Sequence, residues 1–251
     1  MSGVVLLHGW PGAPSDYDEV VARLGDAFGP VLVPDLFGPR HPDARLEAFA
    51  QRVLVQMREA GLERSVVVGY DIGTFIGQSL ARIAPDAVAA AVLTPPYPGV
   101  GRRPLEPEHV GEAWYRFMHR LPVADAMLDG NRPAIEAYLT HFWTHWAATD
   151  DLPARPAFAD VIDRYAQPGA MTAGFEWYRQ NARRSGETPV TVPTRMLWPE
   201  QDPLFPVQWA DALDDWFTDV ELVVLPGVGH FVPLEAPDAV VDAIRASSPT
   251  A

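Results

Sequence analysis

The pentad GYDIG at residues 69–73 lies between an apolar run and a segment of helical periodicity. Within it, the carboxylate of Asp71 stands between two glycines. A G-x-X-x-G pentad between a strand and a helix is typical of a sharp turn that lifts its middle side chain above the sheet. That geometry would present Asp71 for chemistry. In the alternative interpretation, Asp71 is only the N-cap of the following helix.

The type of the middle residue limits the chemistry. With an intrinsic pKa of ~3.9, a carboxylate is an anion at neutral pH and can act as a nucleophile without a base. It can attack an sp3 carbon that carries a leaving group and form an alkyl ester on the protein. Hydrolysis of that ester then requires a general base to activate water and an oxyanion hole for its carbonyl oxygen.

The candidate base is His230 in the segment GVGHF at residues 227–231, which follows the last predicted strand. A side chain at that point can reach over the carboxyl ends of the strands, where ligands of α/β sheets bind. Asp202, in LWPEQDP at residues 197–203, is the candidate acid that orients the histidine. Glu200 is an alternative acid, and an ordinary Asp-Pro turn is the structural alternative for Asp202.

Candidate oxyanion donors follow the first strand and the pentad. The segment HGWPG at residues 8–12 can present the backbone N–H of Trp10, because Pro11 has no N–H. Ile72 can present a second N–H from the start of the helix. Two such donors typically stabilise the transition state by ~3 kcal/mol each.

The elements around these residues alternate between short apolar strands and amphipathic helices, as in right-handed βαβ units with a parallel sheet. Strands are predicted at 4–7, 31–33, 65–68, 88–93, 192–198 and 220–225. Helices are predicted from Ser15, from Asp43, after Gly73, and over 208–217 and 237–246. The pattern is interrupted after a hinge at 94–99 by about 90 helical residues that include four of the eight tryptophans.

Composition excludes several functional classes. The net charge of −14 disfavours nucleic acid and anionic membrane surfaces as partners. There is no cysteine, which excludes disulfides and thiolate catalysis, and all 19 basic residues are arginine, which excludes Schiff-base chemistry. The first residues have no cationic start and only a four-residue apolar run, so we expect a cytoplasmic protein.

The motifs HGWP, GYDIG, LWPEQDP and GVGHFVPLEAP, in this order, resemble the epoxide hydrolase branch of the α/β-hydrolase fold superfamily, with haloalkane and fluoroacetate dehalogenases as near neighbours. The resemblance implies a mostly parallel sheet with helices on both faces. It divides the chain into a core domain at 1–97 and 188–251 and an inserted helical cap domain at 98–187. The family's N-terminal strand hairpin is missing, so about six strands are expected, with an edge that a second copy in a homodimer would cover.

The resemblance also implies two cap tyrosines that protonate the epoxide oxygen as the ring opens. The segment FEWYR at 175–179 resembles the family segment that carries one of them, which indicates Tyr178. Tyr115 matches the other if a one-residue gap is allowed before Pro122. Tyr138 and Tyr165 are the alternatives.

The function implied is hydrolysis of an epoxide to a vicinal diol through an ester on Asp71, without a cofactor. The alternative is a haloalkane or haloacid dehalogenase, which needs N–H donors for a halide instead of an acid. Those relatives carry Trp or Arg directly after the nucleophile, where this chain has Ile72, although Trp114 is a candidate halide donor. A non-catalytic ligand-binding homologue and an enzyme for another ring opening or cyclisation also remain open.

Aromatic residues of the insertion are expected to line an apolar pocket for a small hydrophobic epoxide. The predicted lining residues are Trp114, Phe117, Trp143 and Trp177. His141 and His145 have the i, i+4 spacing of a metal-binding helix. They lack the glutamate of H-E-x-x-H and an evident third ligand, so no metal site is expected.

Overall fold

A computed structural model describes residues 2–37, 43–182 and 187–248. Its six described strands form one sheet in which every paired neighbour is parallel, in the order β2-β1-β3-β4-β5-β6. The strands are β1 (Val4–Leu7), β2 (Val31–Leu32), β3 (Ser65–Gly69), β4 (Val88–Leu93), β5 (Thr194–Pro199) and β6 (Val220–Leu225). The predicted six-stranded parallel sheet is therefore confirmed.

The central strands are apolar because both of their faces are covered. Every residue of β1, β3 and β4 is buried, whereas β6 at the sheet edge is largely exposed. Helices α1 (Asp18–Leu24) and α10 (Pro237–Ser247) pack against each other, as do α2 (Leu46–Glu59) and α3 (Ile72–Ile83). These helices cover the faces of the sheet but not the carboxyl ends of its strands.

The stretch between β4 and β5, which we call the helical insertion (98–187), contains no strand among its described residues. Its helices are α4 (Tyr115–Met118), α5 (Pro122–Leu128), α6 (Arg132–His145), α7 (Pro156–Tyr165) and α8 (Ala170–Gln180). A short helix α9 (Val232–Glu235) follows β6. None of the described helices has both the length and the hydrophobicity that crossing a membrane requires.

Three predicted helix positions differ from the structure. The helix predicted over 208–217 is two 3-10 turns, at Val207–Ala210 and Leu213–Asp215. This segment carries three aspartates, whose side chains compete with helical hydrogen bonding. The first helix begins at Asp18, because Ser15 lies in a 3-10 turn and donates to Asp160 at 2.7 Å. The second begins at Leu46, because Asp43 instead accepts the backbone N–H of Arg45.

Candidate active site

Asp71 lies at the corner between β3 and α3 in a strained backbone conformation. Its φ of 51° and ψ of −119° make it the one non-glycine residue with positive φ in the described part of the chain. Such a conformation costs about 1–3 kcal/mol and is found mainly at functional sites. A Cβ on Gly69 would lie 2.5 Å from the carbonyl oxygen of Gly73, and one on Gly73 would overlap the carbonyl oxygen of Leu7. The two glycines are therefore sterically required by this turn.

The imidazole of His230 lies between two buried carboxylates. Its Nδ1 is 2.9 Å from Oδ2 of Asp202, and its Nε2 is 3.5 Å from Oδ2 of Asp71. Glu200, the alternative acid, instead accepts the backbone N–H of Gly227. The chain positions these groups together because β3, β5 and β6 are parallel, so the residues that follow them meet at one edge of the sheet.

The charges around His230 decide its protonation. Burial lowers the pKa of this imidazole, but the negative charge of Asp202, its hydrogen bond and the charge of Asp71 outweigh burial and raise the pKa to about 10. This shift favours the imidazolium form while Asp71 carries its charge. Conversion of Asp71 into an ester would remove one of the negative charges, so the pKa of His230 would fall when a base is needed.

The backbone N–H of Trp10 donates to Oδ1 of Asp71 at 2.8 Å. Ile72 is the first residue of α3, where backbone N–H groups have no partner within the helix. Oδ1 of Asp71 is thus the oxygen that faces the backbone N–H of Trp10. Oδ2 is the oxygen that faces Nε2 of His230.

The two tyrosines predicted to protonate the epoxide oxygen both contact the indole of Trp10. The ring of Tyr115, from α4, stacks on it with centroids 6.0 Å apart. The ring of Tyr178, from α8, meets it edge-on at 5.7 Å. The rings of Tyr115 and Tyr178 are themselves 5.8 Å apart. Trp10 therefore contacts Asp71 through its backbone and both tyrosines through its side chain.

The hydroxyls of these two tyrosines differ from those of the other five in the chain. Tyr17, Tyr70, Tyr97, Tyr138 and Tyr165 each hydrogen-bond to another described residue. No hydrogen bond to a described residue engages the hydroxyl of Tyr115 or Tyr178. Burial, and then the charge of Asp71 among other groups, raises the pKa of both phenols, so they remain protonated and can act as acids.

The two alternative tyrosines have other partners. The hydroxyl of Tyr138 lies 2.8 Å from Nε2 of His119, and that of Tyr165 donates to the carbonyl oxygen of Gly12 at 3.4 Å. Their hydroxyls are thus engaged within the protein.

The four aromatic residues predicted to line the substrate pocket differ in their surroundings. Trp143 donates its indole N–H to the carbonyl oxygen of Pro11 and packs between Phe158 and Phe231. Trp177 packs on Phe49 and Phe75 of the core helices. Trp114 and Phe117 are 39% and 45% exposed. Packing and pocket lining use the same residue types, so their role in lining a pocket stays a prediction.

His141 and His145 stack with ring centroids 5.5 Å apart, and Nε2 of His145 lies 2.8 Å from a carboxylate oxygen of Glu112. Across the described ranges, no group of three potential ligands is arranged to hold a metal ion.

Sequence reasoning missed three residues around the site. His119 is fully buried, and its ring centroid lies 4.4 Å from that of Trp10. The carbonyl oxygen of Trp146 accepts the backbone N–H of His230 at 2.8 Å. Glu235 accepts backbone N–H groups of Ala148, Gly229 and Phe231, which joins the loop of His230 to the insertion. No local motif marks such roles, apart from the position of Glu235 after the histidine.

Comparison with known proteins assigns the class. The model of the α/β-hydrolase fold family matches residues 4–237, so the chain belongs to this family. It is 23% identical to the soluble epoxide hydrolase of Corynebacterium sp. (strain C12), covering 95% of this chain and 87% of the relative.

Haloalkane dehalogenase 2 of Mycobacterium tuberculosis is 27% identical, with 96% of this chain and 86% of the relative covered. A solved structure, the epoxide hydrolase CorEH without ligand, superposes with a TM-score of 0.85 at 22% identity, covering 97% of this chain and 89% of that one. The chain is thus a hydrolase of the α/β fold with epoxide hydrolases and dehalogenases among its relatives.

Proposed function

We propose that the protein is an epoxide hydrolase that forms a vicinal diol through an alkyl ester on Asp71 and needs no cofactor. The observation that carries the proposal is the arrangement around Trp10. Its N–H holds the carboxylate of Asp71, and its indole supports two tyrosines whose hydroxyls have no described protein partner. An alkoxide is a poor leaving group, so an acid opposite the nucleophile is the equipment that an epoxide requires.

In the first step, Oδ2 of Asp71 attacks a ring carbon and the carbon–oxygen bond of the epoxide breaks. The oxygen takes a proton from Tyr115 or Tyr178. Asp71 now carries the alkyl group as an ester, and its negative charge is gone. Because the pKa of His230 falls with the loss of that charge, the imidazolium releases a proton and the tyrosine phenolate takes one up, which leaves a neutral imidazole for the second step.

In the second step, Nε2 of His230 removes a proton from water, and the hydroxide attacks the carbonyl carbon of the ester. Asp202 orients the imidazole through its hydrogen bond to Nδ1. The N–H groups of Trp10 and Ile72 stabilise the oxyanion that develops on Oδ1. Its collapse breaks the bond between the carbonyl carbon and the ester oxygen, and the diol oxygen that leaves takes the proton from the imidazolium of His230. The carboxylic acid formed on Asp71 then gives its proton to the imidazole, so both groups regain their starting charges.

Haloalkane dehalogenases are among the relatives of this chain, but the geometry of the site gives the dehalogenase alternative less support. Trp114, the candidate halide donor, is 39% exposed and stacks on Phe142. Its ring contacts are with Tyr138, His141 and Phe142, so it is separated from Trp10 by one layer of rings. Halide release from a chloroalkane would favour this alternative over the proposal.

The test traps the ester. His230→Gln removes the base and should allow the first step only, so intact-protein mass spectrometry after incubation with styrene oxide should show one adduct of the mass of the epoxide. The same measurement on Asp71→Asn combined with His230→Gln should show none. Absence of an adduct in the His230→Gln variant, with its fold intact, would contradict the proposal.

A further inference from the structure

The end of α8, the helix that carries Tyr178, is joined to the core by the side chain of Asn181. Its Oδ1 accepts the backbone N–H of Leu46 at 2.9 Å, and its Nδ2 donates to the carbonyl oxygen of Ala44 at 2.7 Å. The same Nδ2 donates to the carbonyl oxygen of Trp177 at 2.9 Å, within α8. One side chain therefore connects the last turn of α8 to the start of α2.

These bonds satisfy a backbone group that α2 cannot satisfy by itself. The N–H of Leu46 is the first of this helix and has no acceptor within it, and the N-cap residue Arg45 provides no side-chain bond. Asn181 supplies the acceptor from a position 135 residues away. Asparagine is a preferred capping residue because its side-chain oxygen accepts such an N–H. The start of α2 and the end of α8 are thus capped by the same residue.

The place of Tyr178 depends on the position of α8. The indole of Trp177 packs on Phe49 of α2 and Phe75 of α3, so one face of α8 lies on the core. The neighbouring residue, Tyr178, meets the indole of Trp10. No hydrogen bond to a described residue engages its hydroxyl, so ring contacts and the position of α8 decide where that hydroxyl lies.

We propose that Asn181 is a positioning residue for the opening of the epoxide, because it fixes α8 on the core and so keeps the ring of Tyr178 on the indole of Trp10. The backbone N–H of Trp10 holds Asp71, so this contact sets the acid relative to the nucleophile. The inference rests on the proposed function, in which Tyr178 can protonate the epoxide oxygen.

The first test measures the rate of ester formation with styrene oxide in the His230→Gln background, by intact-protein mass spectrometry. Asn181→Ala removes the three bonds and should slow this rate by roughly tenfold or more, because a displacement of ~1 Å can cost about 10²-fold. Asn131→Ala is the matched control, since Asn131 is the other asparagine of the chain and caps α6 within the insertion. It should leave the rate unchanged. Thermal unfolding checks that each variant is folded.

A double-mutant cycle separates positioning from a general loss of structure. If Asn181 acts through Tyr178, then Asn181→Ala should slow ester formation no further in a Tyr178→Phe background. Asn181→Asp is a second variant, because its carboxylate still offers an acceptor to the N–H of Leu46 and keeps α2 capped. It should cause a smaller loss, again only while Tyr178 is present.

A fluorine probe reports the position of the ring without any chemistry. 3-Fluorotyrosine is incorporated in place of Tyr178, and its ¹⁹F resonance is recorded in the free protein. Asn181→Ala should shift this resonance, because the ring moves relative to the indole of Trp10. The control Asn131→Ala should leave it in place.

A loss of rate that is equally large with and without the hydroxyl of Tyr178, or an unchanged ¹⁹F resonance in folded Asn181→Ala, would overturn the inference. Failure of the proposed function gives a different result. The His230→Gln protein then forms no adduct at all, while the ¹⁹F resonance still shifts in Asn181→Ala and not in Asn131→Ala.

Discussion

The two halves of the candidate site are held in place by different forces. On the core side, hydrogen bonds and a strained backbone position Asp71, Asp202 and His230 at the ends of parallel strands. On the insertion side, Tyr115 and Tyr178 are positioned by contacts between aromatic rings, and their hydroxyls have no hydrogen bond to a described residue.

The difference indicates how the two halves would tolerate change. Hydrogen bonds and a strained backbone conformation fix atoms closely, as the roles proposed for Asp71 and His230 require. Ring contacts are less directional, so the insertion can vary the space above Asp71 while the core chemistry is kept. Trp10 connects the halves, because its backbone serves the first and its indole the second.

The largest effect should come from removing the two hydroxyls of the insertion side. Tyr115→Phe with Tyr178→Phe keeps both rings but leaves no acid for the epoxide oxygen, so ester formation should slow by about 10²- to 10⁴-fold. The measurement is the rate of adduct formation in the His230→Gln background. Tyr138→Phe is the matched control and should change this rate little. A similar loss in the control would assign the acid elsewhere.

On the core side, Gly73→Ala should destabilise the protein by about 3 kcal/mol or more, because the new Cβ overlaps the carbonyl oxygen of Leu7. Gly77→Ala, on the same helix, is the control. Its Cβ would lie 3.1 Å from Cδ2 of Leu93, the end of a side chain that can shift. Chemical denaturation measures both, and equal destabilisation would show that the turn does not require Gly73.

The link between the halves is tested at Glu235. Glu235→Gln replaces one acceptor oxygen by an NH2 group that faces backbone donors, so the free energy of unfolding should fall by about 1–3 kcal/mol. Decay of the ester should also slow, since the loop of His230 is held by these bonds. Glu200→Gln, which affects one exposed bond to Gly227, is the control. If both variants lose the same stability, the link to the insertion has no special role.

The smallest effect concerns Asp16, a buried acid that accepts a hydrogen bond from Tyr70, the residue before Asp71. Burial raises the pKa of Asp16 to about 7, although hydrogen bonds from Tyr70 and Ala13 oppose this. The folded state therefore binds more protons than the unfolded state between pH 4 and 7, and stability should fall as the pH rises through that window.

Asp16→Asn should remove at least about 1 kcal/mol of this pH dependence, measured by urea unfolding at pH 4.5 and 8. The exposed substitution Asp86→Asn serves as the control. An unchanged slope in Asp16→Asn would mean that this carboxyl does not hold a proton in the folded protein.

Much of the core half could be predicted from sequence because its signals are local. Apolar β-branched runs specify buried strands, and parallel strands place the residues that follow them at one edge. The helix predicted over 208–217 was wrong because its apolar residues, Trp209, Leu213 and Phe217, keep a helical spacing. The three aspartates between them nevertheless break the backbone into 3-10 turns.

The sequence by itself determined the class of fold and the residue types at the strand ends, since a turn such as GYDIG is specified by its own glycines. Only the tertiary structure decided which tyrosine hydroxyls remain without a partner, that Trp10 joins the two halves, and that His119 lies beside them. Those properties depend on contacts between residues far apart in the chain, such as Trp10 and Tyr178, and no short segment encodes such a contact.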